Sequence, residues 1–417
     1  MISLISSIFS LLLGIGIILI GSGFLGTLLG MRATLENFSE AVTGLVMSAY
    51  FLGFIAGAYL CPILINRVGH IRAFAAMAAV ASVAILTHSL IIDPWAWAAL
   101  RLITGICGVG LYMVIESWLH TQTSNQQRGR VFALYMTVNM LAMAAGQYLL
   151  LLNSIDSFVP FAIITILYSL GLVPVALTRI KEPHPISTPA LRLAYLFAKA
   201  PLGVIGTLIA GLLLGAFWGM GAVFAKGIGL PNTWIAVFMS TAVLGGALLQ
   251  LPIGRLSDTR DRRQVLMIVS MGGATAAVAA YAVAQWLPLA LVICIALFGG
   301  FTFPIYALCV AHMSDHLDTN EALEATSGLL LTYGIGAACG PAAAGALMSA
   351  FGAPMLLLYF FALLIVLAVA SRHYMRVRPP LPAAEKGEFV PMVRTSQAAL
   401  EMHPGTEVEP ELDLRQP

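Results

Sequence analysis

Twelve apolar runs, each about the length needed to cross a bilayer, follow one another at 7–31, 41–64, 73–92, 95–118, 131–152, 158–178, 202–224, 234–253, 265–285, 287–311, 327–350 and 354–371. A helix rises ~1.5 Å per residue, so ~20 mostly apolar residues span the ~30 Å hydrocarbon core. Backbone in lipid must satisfy its own hydrogen bonds, which an open strand cannot do. The runs therefore predict an all-α integral membrane protein with twelve transmembrane helices. Composition agrees, with 59% of residues hydrophobic and 10% charged, where soluble domains run near ~25% charged. The net charge of +2 offers no basis for nucleic-acid binding. Cys61, Cys107, Cys294, Cys309 and Cys339 lie scattered within apolar stretches. They show neither metal spacing nor a disulfide framework and read as small packing residues. The first run has no basic residues before it and is too long for a signal-peptide core, so it reads as an uncleaved first span.

An even number of spans puts both termini on one side. Of the 21 Lys and Arg, 18 fall in the loops of that side or in the tail. Only Arg32 and Lys226 fall opposite, and Arg101 falls inside a span. Basic residues concentrate in cytoplasmic loops, so both termini are expected in the cytoplasm. Trp95, Trp97, Trp234 and Trp286 then mark the outer interface and Trp118 the inner one, while Trp218 lies inside the seventh span.

Arg101 is the exception within the membrane. A cation on a lipid-facing helix costs ~2.5–3.5 kcal/mol or more near mid-bilayer, so this one should face the bundle interior or a wet cavity. Arg101, Gly105, Gly108 and Tyr112 share one face of the fourth span. That face presents a charge, two gaps and a phenol, and reads as the wall of a polar path. Arg101 could bind an anionic substrate, hold a proton-coupling carboxylate, or bond to backbone freed by Gly105.

The one long connection, Arg179 to Pro201, carries four prolines and divides the spans six and six. The expected units are a first bundle over 1–182, a linker over 183–200, a second bundle over 201–378 and a disordered cytoplasmic tail over 379–417. Polar features recur at matching points of the two halves. Asn66 corresponds to Asp258, Glu116 to Asp315 and Gly129 to Gly328. This is the pattern of a duplicated six-helix unit.

The loop after span 8 carries Gly254, Asp258, Arg262 and Arg263, and the loop after span 2 keeps Arg67, Gly69 and Arg72 but has Pro62, Asn66 and His70. With Arg101 followed by Gly105 in span 4, these residues resemble the loop and span-4 motifs of the major facilitator superfamily. Span 5 lacks the G-x-x-x-G-P of many proton-coupled exporters and has Ala142, Gly146 and Gln147 there, while span 11 carries Gly336, Gly340 and Pro341. R-V-G-H-I-R at 67–72, E-S-W-L at 116–119, R-G-R at 128–130 and V-R-T-S at 393–396 are similar to a YcaD-like bacterial subfamily. The resemblance implies two six-helix repeats, alternating access, the bacterial inner membrane and coupling to protons.

It also implies roles for particular residues. The cytoplasmic gate would comprise Asn66, Arg67, Gly69, Arg72, Glu116, Arg128 and Arg130 in the first half. In the second, Asp258 and Asp315 would face Arg255, Arg262 and Arg263, with Gly254 in the loop. Several weak ion pairs suit a latch that must release. Polar or aromatic residues well inside spans are candidates for the substrate and proton pathway: Tyr50, Tyr112, Asn139, Gln147, Trp218, Tyr306 and Tyr333, with Arg101. Arg32 is expected to pair with Glu36 or to reach the cavity. Gly105, Pro304, Gly340 and Pro341 are candidates for helix bending. No Asp or Glu lies in the middle of a span, and His88 and His312 near span ends read as structural.

No nucleophile–base pair, metal-spaced cluster or phosphate-binding glycine loop is present, so neither an enzyme nor a cofactor is expected. The expected function is proton-coupled export of a small amphipathic compound by a monomeric carrier in the lipid bilayer. Proton-coupled uptake of a small anionic metabolite is one alternative. A membrane sensor signalling through its tail is another.

Overall fold

A computed structural model describes residues 2–123, 127–178, 183, 193–284, 286–317, 322–377, 379, 381–382, 386–387, 389–392 and 396. The first half comprises α1 (Ile2–Leu35), α2 (Glu40–Val68), α3 (His70–Leu90), α4 (Pro94–Gln122), α5 (Arg128–Gly146, extended by a 3-10 turn Gln147–Leu151) and α6 (Val159–Leu177). A short helix α7 (Leu193–Lys199) leads to α8 (Pro201–Gly227), α9 (Asn232–Thr259), α10 (Arg262–Val283), α11 (Pro288–Thr302), α12 (Pro304–Ser314), α13 (Ala322–Phe351) and α14 (Met355–Val377). With α11 and α12 sharing one crossing, the described residues form 12 helices long and apolar enough to span a membrane.

Local chemistry sets the ends. Ser39 caps α2 by accepting from the Val42 amide, and Asp93 caps α4 by accepting from Ala96, with Pro94 opening that helix. Gly69 sits at φ 85°, closing α2 through its N–H to Ile65 and letting α3 begin at the next residue. A side chain there would meet the left-handed penalty that glycine escapes. Trp95 and Trp286 are exposed at the far end, opposite the termini. Trp97 and Trp118, expected at the interfaces, are buried instead. The Trp97 indole donates to the Ile91 carbonyl at 2.7 Å, and its ring meets Phe38 and His88.

Packing repeats with the sequence. In the first half α1 packs on α5 and α6, α2 on α4, and α3 on α4 and α6. Six spans later α8 packs on α13 and α14, α9 on α11, and α10 on α11 and α14. The halves meet along α1 with α8, α2 with α13, and α5 with α9. Most of these crossings lie toward the far end and use missing side chains. A Cβ on Gly44 would overlap the Pro341 carbonyl, and one on Gly345 the Glu40 carbonyl. Gly30 faces Val223, and Ser240 donates to the Tyr148 hydroxyl at 3.2 Å. Small residues let helix backbones approach where no hydrophobic drive exists between helices in lipid.

The four bending candidates separate. The tenth span breaks at Phe303, between Thr302 and Pro304. The eleventh runs unbroken through Pro341, and the neighbouring Ala342 amide is taken up by Ser48 Oγ of α2 at 3.1 Å. Gly105 and Gly340 are contact points: Gly105 lies under the Tyr50 carbonyl and Gly340 under that of Leu212.

Of the expected linker, Pro183 and residues 193–200 are described, and α7 rests on α8 and α13 with Leu196 buried. Arg179, Arg192 and most of V-R-T-S lie outside the described residues. The stretch after 378, expected to be disordered, is docked where it is described. Met392 and Ser396 are buried, and Phe389 and Val390 pack against the core.

Candidate functional site

Two glycines of α4 and a tyrosine of α2 explain how an arginine is held inside this bundle. Gly105 and Gly108 leave a groove that the Tyr50 backbone and ring enter from α2. The Arg101 guanidinium then stands 4.5 Å from the centroid of the Tyr50 ring. The aromatic face is negative and attracts the cation at low solvent cost. Arg101 is 6% exposed. The gaps read from the sequence as part of an open polar path are thus filled by Tyr50.

Arg101 borders a chamber with about 430 Å³ of atom-free space, counting its mouth, shared with Gly26, Phe51, Gly219 and others. A second, larger cavity, with about 720 Å³ of atom-free space including its mouth, lies on the termini side of it. Ser22, Tyr50, Met143 and Trp218 line both, so Tyr50 and Trp218 form a waist between them. The larger cavity draws on both halves, with Tyr112 and Asn139 from the first and Trp218, Tyr306 and Tyr333 from the second. Tyr306 and Tyr333 meet edge to face with centroids 5.1 Å apart, and Trp218 meets Phe303 at 6.3 Å.

Two expected pathway residues lie elsewhere. Gln147 is fully buried, donating to the Gly23 carbonyl at 2.8 Å and accepting from Thr27 Oγ1 at 2.6 Å. It ties α5 to α1, because a buried amide in lipid needs partners. Arg32 pairs with Glu36 at 2.7 Å and donates to the Ile155 carbonyl at 3.1 Å, at the far end and away from both chambers. His88 hydrogen-bonds the Ala84 carbonyl through Nδ1 at 2.8 Å, between Trp97 and Phe161.

A polar chain leads from the cavity toward the termini end. Asn139 donates to the Tyr135 carbonyl at 3.0 Å, and the Tyr135 hydroxyl donates to Glu116 at 2.7 Å. Glu116 is fully buried and also accepts from Ser396 of the tail. In the second half, Arg262 is held by Asp315 at 2.6 Å and by Asp258 at 3.4 Å. Arg263 pairs with Asp261 at 2.6 Å and donates to the Tyr374 carbonyl, not to Asp258 or Asp315 as expected. The reason is position: Asp261 caps α10 and meets the arginine two residues on. Burial works against the Asp261 charge. The bonds and charge of Arg263 outweigh it and hold the carboxyl below its ordinary 3.8. Arg255 is exposed, as are Asn66, Arg67, Arg72 and Arg130, while Arg128 is buried.

Sequence reading missed Ser22, Phe54, Met140, Met143, Leu214, Val243 and Met392 of the larger cavity. Five of these are apolar residues in apolar spans and carry no signal of their own; Ser22 is a small polar residue among the glycines of span 1, and Met392 lies beyond the last span. Tyr135 was legible only as the residue four before Asn139, where helix geometry stacks them.

Two six-helix bundles meeting at the far end around a shared cavity form a carrier architecture, the kind of membrane transporter that rocks about a central site. The sequence profile of the Major Facilitator Superfamily matches residues 4–239 and 203–402, and the chain belongs to that family. It is similar to the MFS-type transporter YcaD of Escherichia fergusonii, 27% identical over 373 residues, which cover 87% of this chain and 95% of that protein. It is similar to YcaD of Escherichia coli O7:K1 as well, 27% identical over 82% of this chain and 88% of that protein. Among solved structures it superposes on the nucleoside transporter NupG with a TM-score of 0.74 at 15% identity, covering 91% of this chain and 100% of that one. A bacterial homologue of the human lysosomal transporter Spinster, inward-facing and occupied, gives 0.70 at 14% identity, covering 91% and 97%.

Proposed function

We propose that this transporter exports a small, partly apolar compound across the bacterial inner membrane in exchange for protons. It would act as a monomer with both termini in the cytoplasm. The observation that carries this reading is the larger cavity, built from both halves and walled by tyrosines, Trp218 and methionines. Such a surface holds an amphipathic solute by area and stacking and suits a sugar poorly. The basic loops at the termini end favour the cytoplasm for that end. Among the described residues, Arg101 is the one cation beside the waist and the candidate for coupling. A guanidinium stays protonated and carries no exchangeable proton, so Arg101 would act indirectly, by attracting a proton-carrying carboxylate or a negative group of the solute.

Everted vesicles with an acid interior, given a panel of labelled amphipathic compounds and a lumenal pH dye, test the reading. Accumulation that collapses with the pH gradient, together with solute-induced alkalinisation of the lumen, is expected. Accumulation indifferent to the gradient would sink proton exchange.

Arg101 beside its chamber also favours a second reading, proton-coupled uptake of a small anion anchored on the guanidinium. Right-side-out vesicles should then concentrate labelled anions when acidified outside, and Arg101→Ala should abolish it.

A further inference from the structure

The loop motif of the second half is occupied by the chain's own C-terminal stretch. Gly254 has no side chain, and the Phe389 ring lies where a Cβ would be. Asp258 accepts the Phe389 amide at 2.9 Å. Arg262 donates to the Gly387 carbonyl, and Asp315 accepts the Gly387 amide at 3.1 Å. The Lys386 ammonium donates to the Arg260 carbonyl at 2.6 Å. One turn of α9 further in, Gln250 donates to the Met392 carbonyl at 3.0 Å, and the Met392 side chain forms part of the wall of the larger cavity. The stretch then reaches the other half, where Ser396 donates to Glu116 of α4.

We infer that Lys386, Gly387, residues 389–392 and Ser396 form the inner gate of the central cavity: docked, they seal its termini-side mouth and tie the two halves together, and the cavity opens to that side only when they leave. Three features carry this. The contacts bridge both halves, so they oppose any separation of the halves at that end. The far end is closed by direct helix contacts, whereas on the termini side it is Met392 that forms part of the cavity wall. The attachment is built to be reversible. It consists of non-covalent contacts: hydrogen bonds to the backbone of the stretch, the Lys386 ammonium on the Arg260 carbonyl, the Ser396 hydroxyl on Glu116, Met392 in the cavity wall and one ring in a glycine notch. Because the stretch is tethered to α14, redocking is intramolecular and does not depend on protein concentration. Gly254, Asp258 and Arg262 thus act as the receptor for a segment of the same chain, a use that loop charges alone do not suggest. This inference rests on the carrier reading for its purpose, but its geometry can be tested without a substrate.

The test uses the full chain with its five cysteines replaced by alanine and one thiol introduced by Ser22→Cys, at the waist shared by both chambers. In proteoliposomes, a charged membrane-impermeant methanethiosulfonate is added on the termini side and the rate of modification is read by mass shift. The parent should react slowly. Phe389→Asp, which puts a charge against the α9 notch, should react at least tenfold faster. Gly254→Ala, which leaves the ring no seat, should do the same, as should a chain ending at residue 385. Rates within twofold of the parent in all three would overturn the gate. Faster labelling in these variants with no solute flux in any chain would sink the carrier reading and leave the gate standing.

Discussion

The Arg101 guanidinium lies over the Tyr50 ring, 4.5 Å from its centroid, because Gly105 and Gly108 let α2 sink into α4. A cation over a ring is worth ~0.5–2 kcal/mol according to how dry the site is. Arg101→Ala should reduce flux of an exported compound in everted vesicles at least tenfold. Arg101→Lys and Tyr50→Phe, which keep a charge and a ring, should each retain more than Arg101→Ala and Tyr50→Leu. Equal losses in all four would show that charge and ring do not act together.

Gly105 and Gly108 should differ in cost. At Gly105 a Cβ meets the backbone of Tyr50, which cannot turn aside, and Gly105→Val should destabilise by ~1–3 kcal/mol, as overpacking does. At Gly108 the nearest atom is the Tyr50 hydroxyl, 3.1 Å from such a Cβ, and the ring can give. Gly108→Ala should therefore lower the melting temperature in detergent much less than Gly105→Val.

Ser48 bonds the Ala342 amide beside Pro341, where the proline interrupts regular helix bonding. Removing the hydroxyl should cost ~0.6 kcal/mol, the average for one side-chain bond between membrane helices, and no more than ~2 kcal/mol. In a Pro341→Ala background the helix can satisfy the amide itself, so Ser48→Ala should then cost almost nothing. A thermal-melt double-mutant cycle measures the difference.

Arg262 and Asp315 form an ion pair whose side chains are 1% and 2% exposed. Removing one partner strands the other away from water, at ~3–5 kcal/mol. Arg262→Met should be strongly destabilising. Arg262→Met with Asp315→Leu should be less so than Arg262→Met alone. Simple additivity in chemical denaturation would contradict the pairing.

Asp261 should impose an acid limb on stability. Its carboxyl titrates below the ordinary 3.8 because the bonds and charge of Arg263 outweigh the opposing effect of burial. The folded form therefore gains stability that is complete above that ordinary value and is lost as pH falls through the lower, folded one. The side chain is 23% exposed, so the effect is modest. Asp261→Asn should lower the melting temperature slightly near neutrality, and the difference from the parent should vanish in strong acid.

Span number, the six-plus-six division and the interior position of Arg101 are legible along the chain because the bilayer imposes them residue by residue. A stretch either is or is not apolar over ~20 positions, and a charge within it must turn inward. Tyr50, Tyr112, Asn139, Trp218, Tyr306 and Tyr333 could be picked out as polar or aromatic exceptions in apolar spans, and the structure sets all six around one cavity. Gln147 carried the same signal and serves a different purpose, since an amide's partners are decided by which helix faces it.

What sequence alone determined, then, is everything that follows from transferring one helix into lipid: how many spans, where they end, which residues are costly there. Which Gly meets which carbonyl, the Arg101–Tyr50 stacking and the choice of Asp261 for Arg263 depend on contacts between helices. The seating of Phe389 on Gly254 was least legible of all. The stretch after 378 has too few apolar residues to order by itself, and its place is created only by a notch and a set of charges on elements 72 to 131 or more residues away.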